Sequence, residues 1–208
     1  VTIADDDTAT VSIAGTTDGD EAGPVNGVFT VSLDQQSDTA TTVSYTVAGT
    51  SDSGDDFTAL TGTVTIPANT TNAVISVPVI DDALLEGNET LQLTLGTVTS
   101  GDSDVSVSGV PASINIIDND VASLSVADVT VAEDVAAGNL VFTVTLSTAT
   151  ASGFNVDYSF TDGTATGSTD YDNSAGTLAF TGTAGETQTI TVPITNDGLF
   201  EGNETFTV

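Results

Sequence analysis

The sequence predicts an all-β chain, built as tandem immunoglobulin-like antiparallel β-sandwiches with about seven strands per repeat. Three observations lead there. Short runs of alternating apolar and polar residues recur with turn residues between them, the mark of half-buried strands. No window sustains an apolar period of three to four, and Thr, Val, Ser and Gly dominate throughout. The whole series of alternating runs is then written a second time, 113 to 115 residues further on, which is an internal tandem repeat.

Taken in order, VTIADDD at residues 1 to 7 reads as a strand closing on an acidic tip, because SINIIDND at 113 to 120 has the same form. Phe29, Val31 and Leu33 alternate in FTVSL, and Phe142, Val144 and Leu146 do so in FTVTL. Val43, Tyr45 and Val47 answer to Val156, Tyr158 and Phe160. Val64 and Ile66 match Leu178 and Phe180, and Ile75, Val77 and Val79 match Ile190, Val192 and Ile194. Pro78 and Pro193 fall at corresponding outward positions, where a missing N–H suits an edge strand. The second copy stops in ETFTV, short of a closing strand. The expected organisation is therefore a closing strand of a preceding repeat at 1–7, a complete domain at 8–120, and a second domain at 121–208 without its closing strand. Either the chain is a window on a longer array, or residues 1–7 complete the second repeat of a like protomer by strand addition.

Composition narrows the chemistry. Hydrophobic residues make up 38% of the 208 and are spread evenly, so the chain folds rather than forming an acidic tail. Thirty acids against no Lys, Arg or His give a formal charge of −30. Nucleic acid, anionic membrane and phosphate ligands need Lys or Arg and are excluded as partners. Without Cys or His the usual zinc, copper and iron sites are excluded as well. What remains is hard oxygen chemistry, calcium first and magnesium second. Enzymatic activity is not expected, since no His, Cys or Lys is available as base or nucleophile. Paired carboxylates can run glycoside hydrolysis, but no Trp and three Tyr offer few platforms for a sugar.

The acids are not scattered. DDALLEGNET at 81 to 90 returns as NDGLFEGNET at 196 to 205, with seven of ten letters shared, and four of the seven Glu lie in these two copies. Two carboxylates about 4 Å apart repel by roughly 1 kcal/mol in water and by several times that near a partly buried surface. A cluster without bases is thus costly unless a cation occupies it.

On these residues the chain resembles tandem Calx-beta domains, the calcium-binding sandwiches of sodium/calcium exchangers, integrin β4 and large bacterial surface proteins. The matching motifs are FTVSL and FTVTL, DGTATGSTDY at 162 to 171, the run from Gly176 to Val208, and the IIDND ending. The resemblance implies calcium at one end of each sandwich, held by loops from distant parts of the repeat. In the first repeat it implicates Glu21, Asp56, Asp81, Asp82, Glu86, Glu89, Asp118 and Asp120, with the Leu84 carbonyl as a backbone ligand. In the second it implicates Glu133, Asp170, Asp197, Glu201 and Glu204, with Asn196 standing where the first copy has Asp81 and Leu199 where it has Leu84. Asp5 and Asp7 would be closing ligands for a preceding repeat.

Eight carboxylates in one repeat exceed the need of a single calcium, which takes about six to eight oxygens, so roughly two to four bridged ions are expected. No EF-hand or nonapeptide calcium pattern is present, so the fold itself must assemble the sites. The implied partners are calcium ions and neighbouring repeats of the same chain or of like protomers; no membrane segment occurs in this window. The implied role is a spacer or filament shaft of a long extracellular or cell-surface bacterial protein, with calcium at the seams between repeats. A regulatory calcium sensor is the rival reading, and a sandwich that binds sugar through calcium is a lesser one.

Overall fold

The computed structural model describes residues 1, 6–134, 138–199 and 201–208, and every regular element among them is a β-strand. In chain order these are β1 (Ala9–Thr17), β2 (Gly19–Asp20), β3 (Gly27–Leu33), β4 (Thr41–Gly49), β5 (Thr63–Ile66), β6 (Asn72–Val77), β7 (Leu84–Leu85), β8 (Glu89–Ser100), β9 (Val105–Val107) and β10 (Ala112–Ile117). They continue with β11 (Leu124–Val126), β12 (Asn139–Leu146), β13 (Ala149–Thr150), β14 (Phe154–Tyr158), β15 (Thr161–Asp162), β16 (Gly176–Phe180), β17 (Thr187–Pro193) and β18 (Phe206–Thr207). No helix of the described residues is long and apolar enough to cross a membrane. The chain divides into two compact units, Val1–Asp82 with Gly87–Asn119, and Ala83–Glu86 with Asp120–Val208.

The first unit is two sheets, ordered β6-β3-β1-β9 and β2-β10-β8-β4-β5. Strict alternation makes β3 the clearest case: Gly27, Phe29, Val31 and Leu33 are buried and the residues between them are not. Their core partners are Val43 and Tyr45 of β4, Ile66 of β5, Ile75 and Val77 of β6, Leu91 and Leu93 of β8, and Ile114 and Ile116 of β10. β10 closes the second sheet, antiparallel to β8 and parallel to β2 through Ile116↔Gly19 and Ile117↔Asp20. That parallel pair delivers the residues after Asp20 and those after Ile117 to the same end of the sandwich. Gly49 ends β4 at φ 135°, and a Cβ there would lie 2.0 Å from the Thr90 carbonyl oxygen. Glycine is what lets the two backbones approach at that end.

The second unit holds the ladders β11-β12-β17, β14-β16 and β15-β18. Its core gathers Leu140, Phe142, Val144 and Leu146 of β12 with Leu178, Phe180, Ile190, Val192 and Tyr171. Aromatic rings fill the loop end of this core. Tyr171 and Phe206 stack at 3.9 Å and 8°, and Phe160 meets both edge-on at 6.0 and 5.9 Å. β6 and β17, the strands that lead into Pro78 and Pro193, are both at the edge of their sheets. One alternation runs out early: Val47 is 43% exposed although Val43 and Tyr45 are buried. Its counterpart Phe160 is long enough to reach the rings of the second core, and a valine is not.

Core packing and edge exposure predict different sensitivities. Ile66 is 1% exposed, so Ile66→Val is expected to cost about 1 kcal/mol. Val74, on the edge strand β6, is 64% exposed, and Val74→Ala should stay within about 0.5 kcal/mol. Urea midpoints at unchanged slope read both.

Candidate metal centre

In the first repeat the site grows from the end of β2. The Glu21 N–H donates to the Ile117 carbonyl at 3.1 Å, which fixes Glu21 beside the strand that runs into Asp118 and Asp120. Carboxylate oxygens of Glu21, Asp118 and Asp120 consequently lie within 4.8 Å of one another. Glu21 also belongs to a second group, with Asp56 and Glu86, on the same criterion. Asp56 is positioned by its own turn: its N–H donates to the Asp52 carbonyl at 3.0 Å, and the Asp52 N–H donates back to Asp56 Oδ2. The Ile80 N–H on the Asp56 carbonyl, at 2.9 Å, ties this turn to the chain leaving β6. Asp118 Oδ2 accepts the Gly87 N–H at 2.6 Å, joining the EGNET turn to the IIDND ending.

Glu21 and Asp56 are 4% and 5% exposed, the two buried acids among the described residues. Glu21 Oε2, Glu89 Oε2 and Asp120 Oδ2 are also withdrawn from solvent. Taking carboxylates out of water is costly unless the charge is met, and no ammonium, guanidinium or imidazolium side chain exists in this sequence to meet it.

The second repeat uses the same parts differently. Glu133, Asp197 and Glu201 form one group within 4.8 Å, and Asp170, Glu201 and Glu204 form another. Glu201 is common to both, whereas Glu21 is the common member in the first repeat. The Asp170 carboxylate is held by the Thr166 N–H at 2.7 Å, and the Thr195 N–H donates to the Asp170 carbonyl at 2.9 Å. Asp197 Oδ1 accepts the Leu199 N–H at 2.7 Å. These carboxylates are exposed apart from the half-buried Asp170.

Several residues singled out in the sequence stand outside the four groups. Asp81 and Asp82 are exposed, and Asp81 Oδ1 accepts the Asn119 amide at 3.5 Å. Glu89 opens β8 opposite Ile116. Leu84 lies in β7, which pairs in parallel with β13 through Leu84↔Ala149. Asn196 is exposed, and Leu199 is 65% exposed. Asp7 is exposed, and Asp5 lies outside the described residues. No role for Asn119 or Asp162 follows from the sequence alone; the only signal for Asp162 is its place at the head of DGTATGSTDY.

Crowding leaves an electrostatic mark. Desolvation, then the charges of Glu204, Asp197, Asp170 and Glu133, raises the Glu201 pKa above its ordinary 4.5. Glu204 is raised likewise, by desolvation, then the charge and hydrogen bond of Asp170, then Glu133 and Asp197. In the metal-free protein a raised carboxylate pKa means that the fold holds the proton more tightly than the unfolded chain does. This contribution to stability is fully present below pH 4.5 and is lost as the pH rises through the raised values. With chelator, the parent is therefore expected to lose melting temperature, relative to a Glu201→Gln, Glu204→Gln variant, as the pH rises above the ordinary carboxylate value of 4.5. With saturating calcium the sign reverses, because calcium takes the ionised carboxylates and competes with protons.

The donor set is oxygen alone, with one carboxylate shared between two three-oxygen groups in each repeat. That is suited to a pair of neighbouring hard divalent cations bridged by a carboxylate. The Calx-beta domain family model matches the chain twice, over residues 4–120 and 118–208. The chain belongs to the Calx-beta family. Calcium is the cofactor of these domains, and the donor chemistry of both repeats fits it. The two Calx-beta matches share residues 118–120, the acidic end of IIDND.

Among solved structures, CBD12 from CALX1.2 is 23% identical, with 88% of this chain and 74% of that one covered and a TM-score of 0.44. The calcium binding domain CBD12 of CALX1.1 is 22% identical, over 89% and 76%, at 0.41. The apo-form Calx CBD1 domain is 21% identical, over 55% of this chain and all of its own, at 0.44. No curated protein matches the Calx-beta pair described here.

Proposed function

We propose that this Calx-beta pair is a non-catalytic structural repeat of a long extracellular or cell-surface adhesin, filament or matrix protein, made rigid by calcium. The observation that carries the reading is the acid balance: 30 carboxylates and no basic side chain, with carboxylates gathered into two groups in each repeat. Such a chain repels itself until divalent cations bind, so calcium acts as a structural component and its binding free energy is largely folding free energy. Media outside cells hold calcium at levels where weak sites fill. Glu21, Asp56, Glu86, Asp118 and Asp120 would hold the ions of the first repeat, and Glu133, Asp170, Asp197, Glu201 and Glu204 those of the second. The partners are then calcium and further repeats of the same kind.

Isothermal titration of the whole chain with calcium tests this reading against a regulatory sensor. A structural extracellular module is expected to saturate with dissociation constants of about 0.1 to 1 mM. Constants of roughly 0.1 to 10 μM would contradict the structural role and assign the pair to sensing.

A further inference from the structure

The DGTATGSTDY segment contains an acid that belongs to neither carboxylate group of its repeat. Asp162 sits in β15 opposite Phe206, and its Oδ1 accepts two hydrogen bonds, from the Tyr171 hydroxyl at 2.6 Å and from the Gly167 N–H at 3.0 Å. Gly167 lies within the 166–170 turn that carries Asp170, and Tyr171 directly follows it. Inside it, the Thr166 N–H holds Asp170 Oδ2 at 2.7 Å, and the Ser168 N–H reaches the Tyr171 carbonyl at 2.8 Å.

The first repeat supplies an internal comparison. Gly49 pairs with Leu91 as Asp162 pairs with Phe206, and Phe57 bridges Val79 as Tyr171 bridges Ile194. The Gly54 N–H donates to the Phe57 carbonyl as the Ser168 N–H does to the Tyr171 carbonyl. At the three corresponding positions the first repeat has Gly49, Gly54 and Phe57, and the second has Asp162, Ser168 and Tyr171. The carboxylate and the hydroxyl that it accepts from therefore occur together in one repeat and are both missing from the other. Ser168 moreover takes φ 68°, where its counterpart is a glycine. That is a region a non-glycine residue occupies only when its surroundings hold it there.

We infer that Asp162 is a positioning residue for calcium in the second repeat, acting through Tyr171 and Gly167 to hold the 166–170 turn so that Asp170 meets Glu201 and Glu204. The inference rests on the reading of that group as a calcium site. Both repeats hold this aspartate with the same turn, through Asp52 in the first and Thr166 in the second; Asp56 is also buried, whereas the more exposed Asp170 has the side-chain tether in addition.

The test is calcium titration of the full chain carrying Glu21→Gln and Glu86→Gln, so that the remaining binding reports the second repeat. On this background Asp162→Ala and Tyr171→Phe should each weaken calcium roughly 10- to 100-fold, the range for partners that orient a metal ligand. The double variant should bind no more weakly than the weaker single one, because both changes break the same tether. Asp162→Asn, whose amide oxygen can still accept both hydrogen bonds, should bind close to the parent. An Asp162→Asn loss as large as that of Asp162→Ala would overturn the positioning role and make the charge itself a ligand. Unchanged affinity in Asp162→Ala and Tyr171→Phe, with Glu201→Gln still weakening binding strongly, would overturn the positioning role alone. If no calcium binding depends on Glu201, the site reading fails and the positioning role fails with it. Should Asp162→Ala not fold, Tyr171→Phe and Asp162→Asn decide the matter.

Discussion

Glu201→Gln is expected to weaken calcium binding by the second repeat about 100-fold and to lower the number of ions bound there, and Glu21→Gln to do the same in the first. The reason is geometric. Each is the carboxylate shared by both groups of its repeat, so its loss removes an oxygen from two candidate ion positions at once. The residues that share are not counterparts: by sequence, Glu21 corresponds to Glu133 and Glu86 to Glu201. Glu133→Gln and Glu86→Gln each touch a single group and are expected to cost less, around 10-fold. Isothermal titration of the four variants gives an ordering that family resemblance alone does not supply. Equal losses for Glu21→Gln and Glu86→Gln would show that sharing is not what matters. Glu21→Gln should also have opposite effects with and without metal. In chelator it relieves crowding among buried carboxylates and is expected to be at least as stable as the parent.

The second large effect is the loss of the fold's cation. At about 5 mM calcium, sites of 0.1 to 1 mM affinity contribute roughly 1 to 2 kcal/mol each, and two coupled sites about 2 to 5 kcal/mol per repeat. A domain of this size shifts by about 4 to 8 °C per kcal/mol, so excess chelator is expected to lower the melting temperature by roughly 10 to 30 °C. The measurement is calorimetry at fixed ionic strength, with magnesium as a control for simple screening. The first repeat should lose more, because Glu21 and Asp56 are buried and the corresponding second-repeat acids are not. A single shift shared with equimolar magnesium would reduce calcium to a counterion.

Fold class and repeat structure were legible because strand period and burial coincide. Phe29, Val31 and Leu33 alternate in the sequence and are buried together, as are Ile75, Val77 and Val79. The failure at Val47 is of a kind that pattern cannot detect, since exposure there depends on what fills the loop end rather than on face. Site geometry was legible in part. The acids of EGNET and IIDND are visible as a repeated pattern, but their grouping depends on the parallel β2–β10 pairing that sets Glu21 beside Ile117, a contact between residues 96 positions apart. Nothing local in the sequence separates Asp118, which joins a group, from Asp82, which does not. The β7–β13 pairing through Leu84 was equally invisible, because two-residue bridges leave no periodicity. Asp162 was hidden for a related reason. Its role depends on the hydroxyl nine residues away, and only aligning the two repeats against Gly49 and Phe57 brings it out.

Equilibrium dialysis of the whole chain against radioactive calcium, beside a Glu21→Gln, Glu201→Gln variant, tests most directly whether the carboxylate groups are calcium sites. Saturable binding of several ions per chain is expected in excess magnesium, most of it lost in the variant, although that variant keeps 28 of the 30 acids. Binding that does not saturate, or that falls only in proportion to the two charges removed, would mean that calcium merely screens an acidic surface.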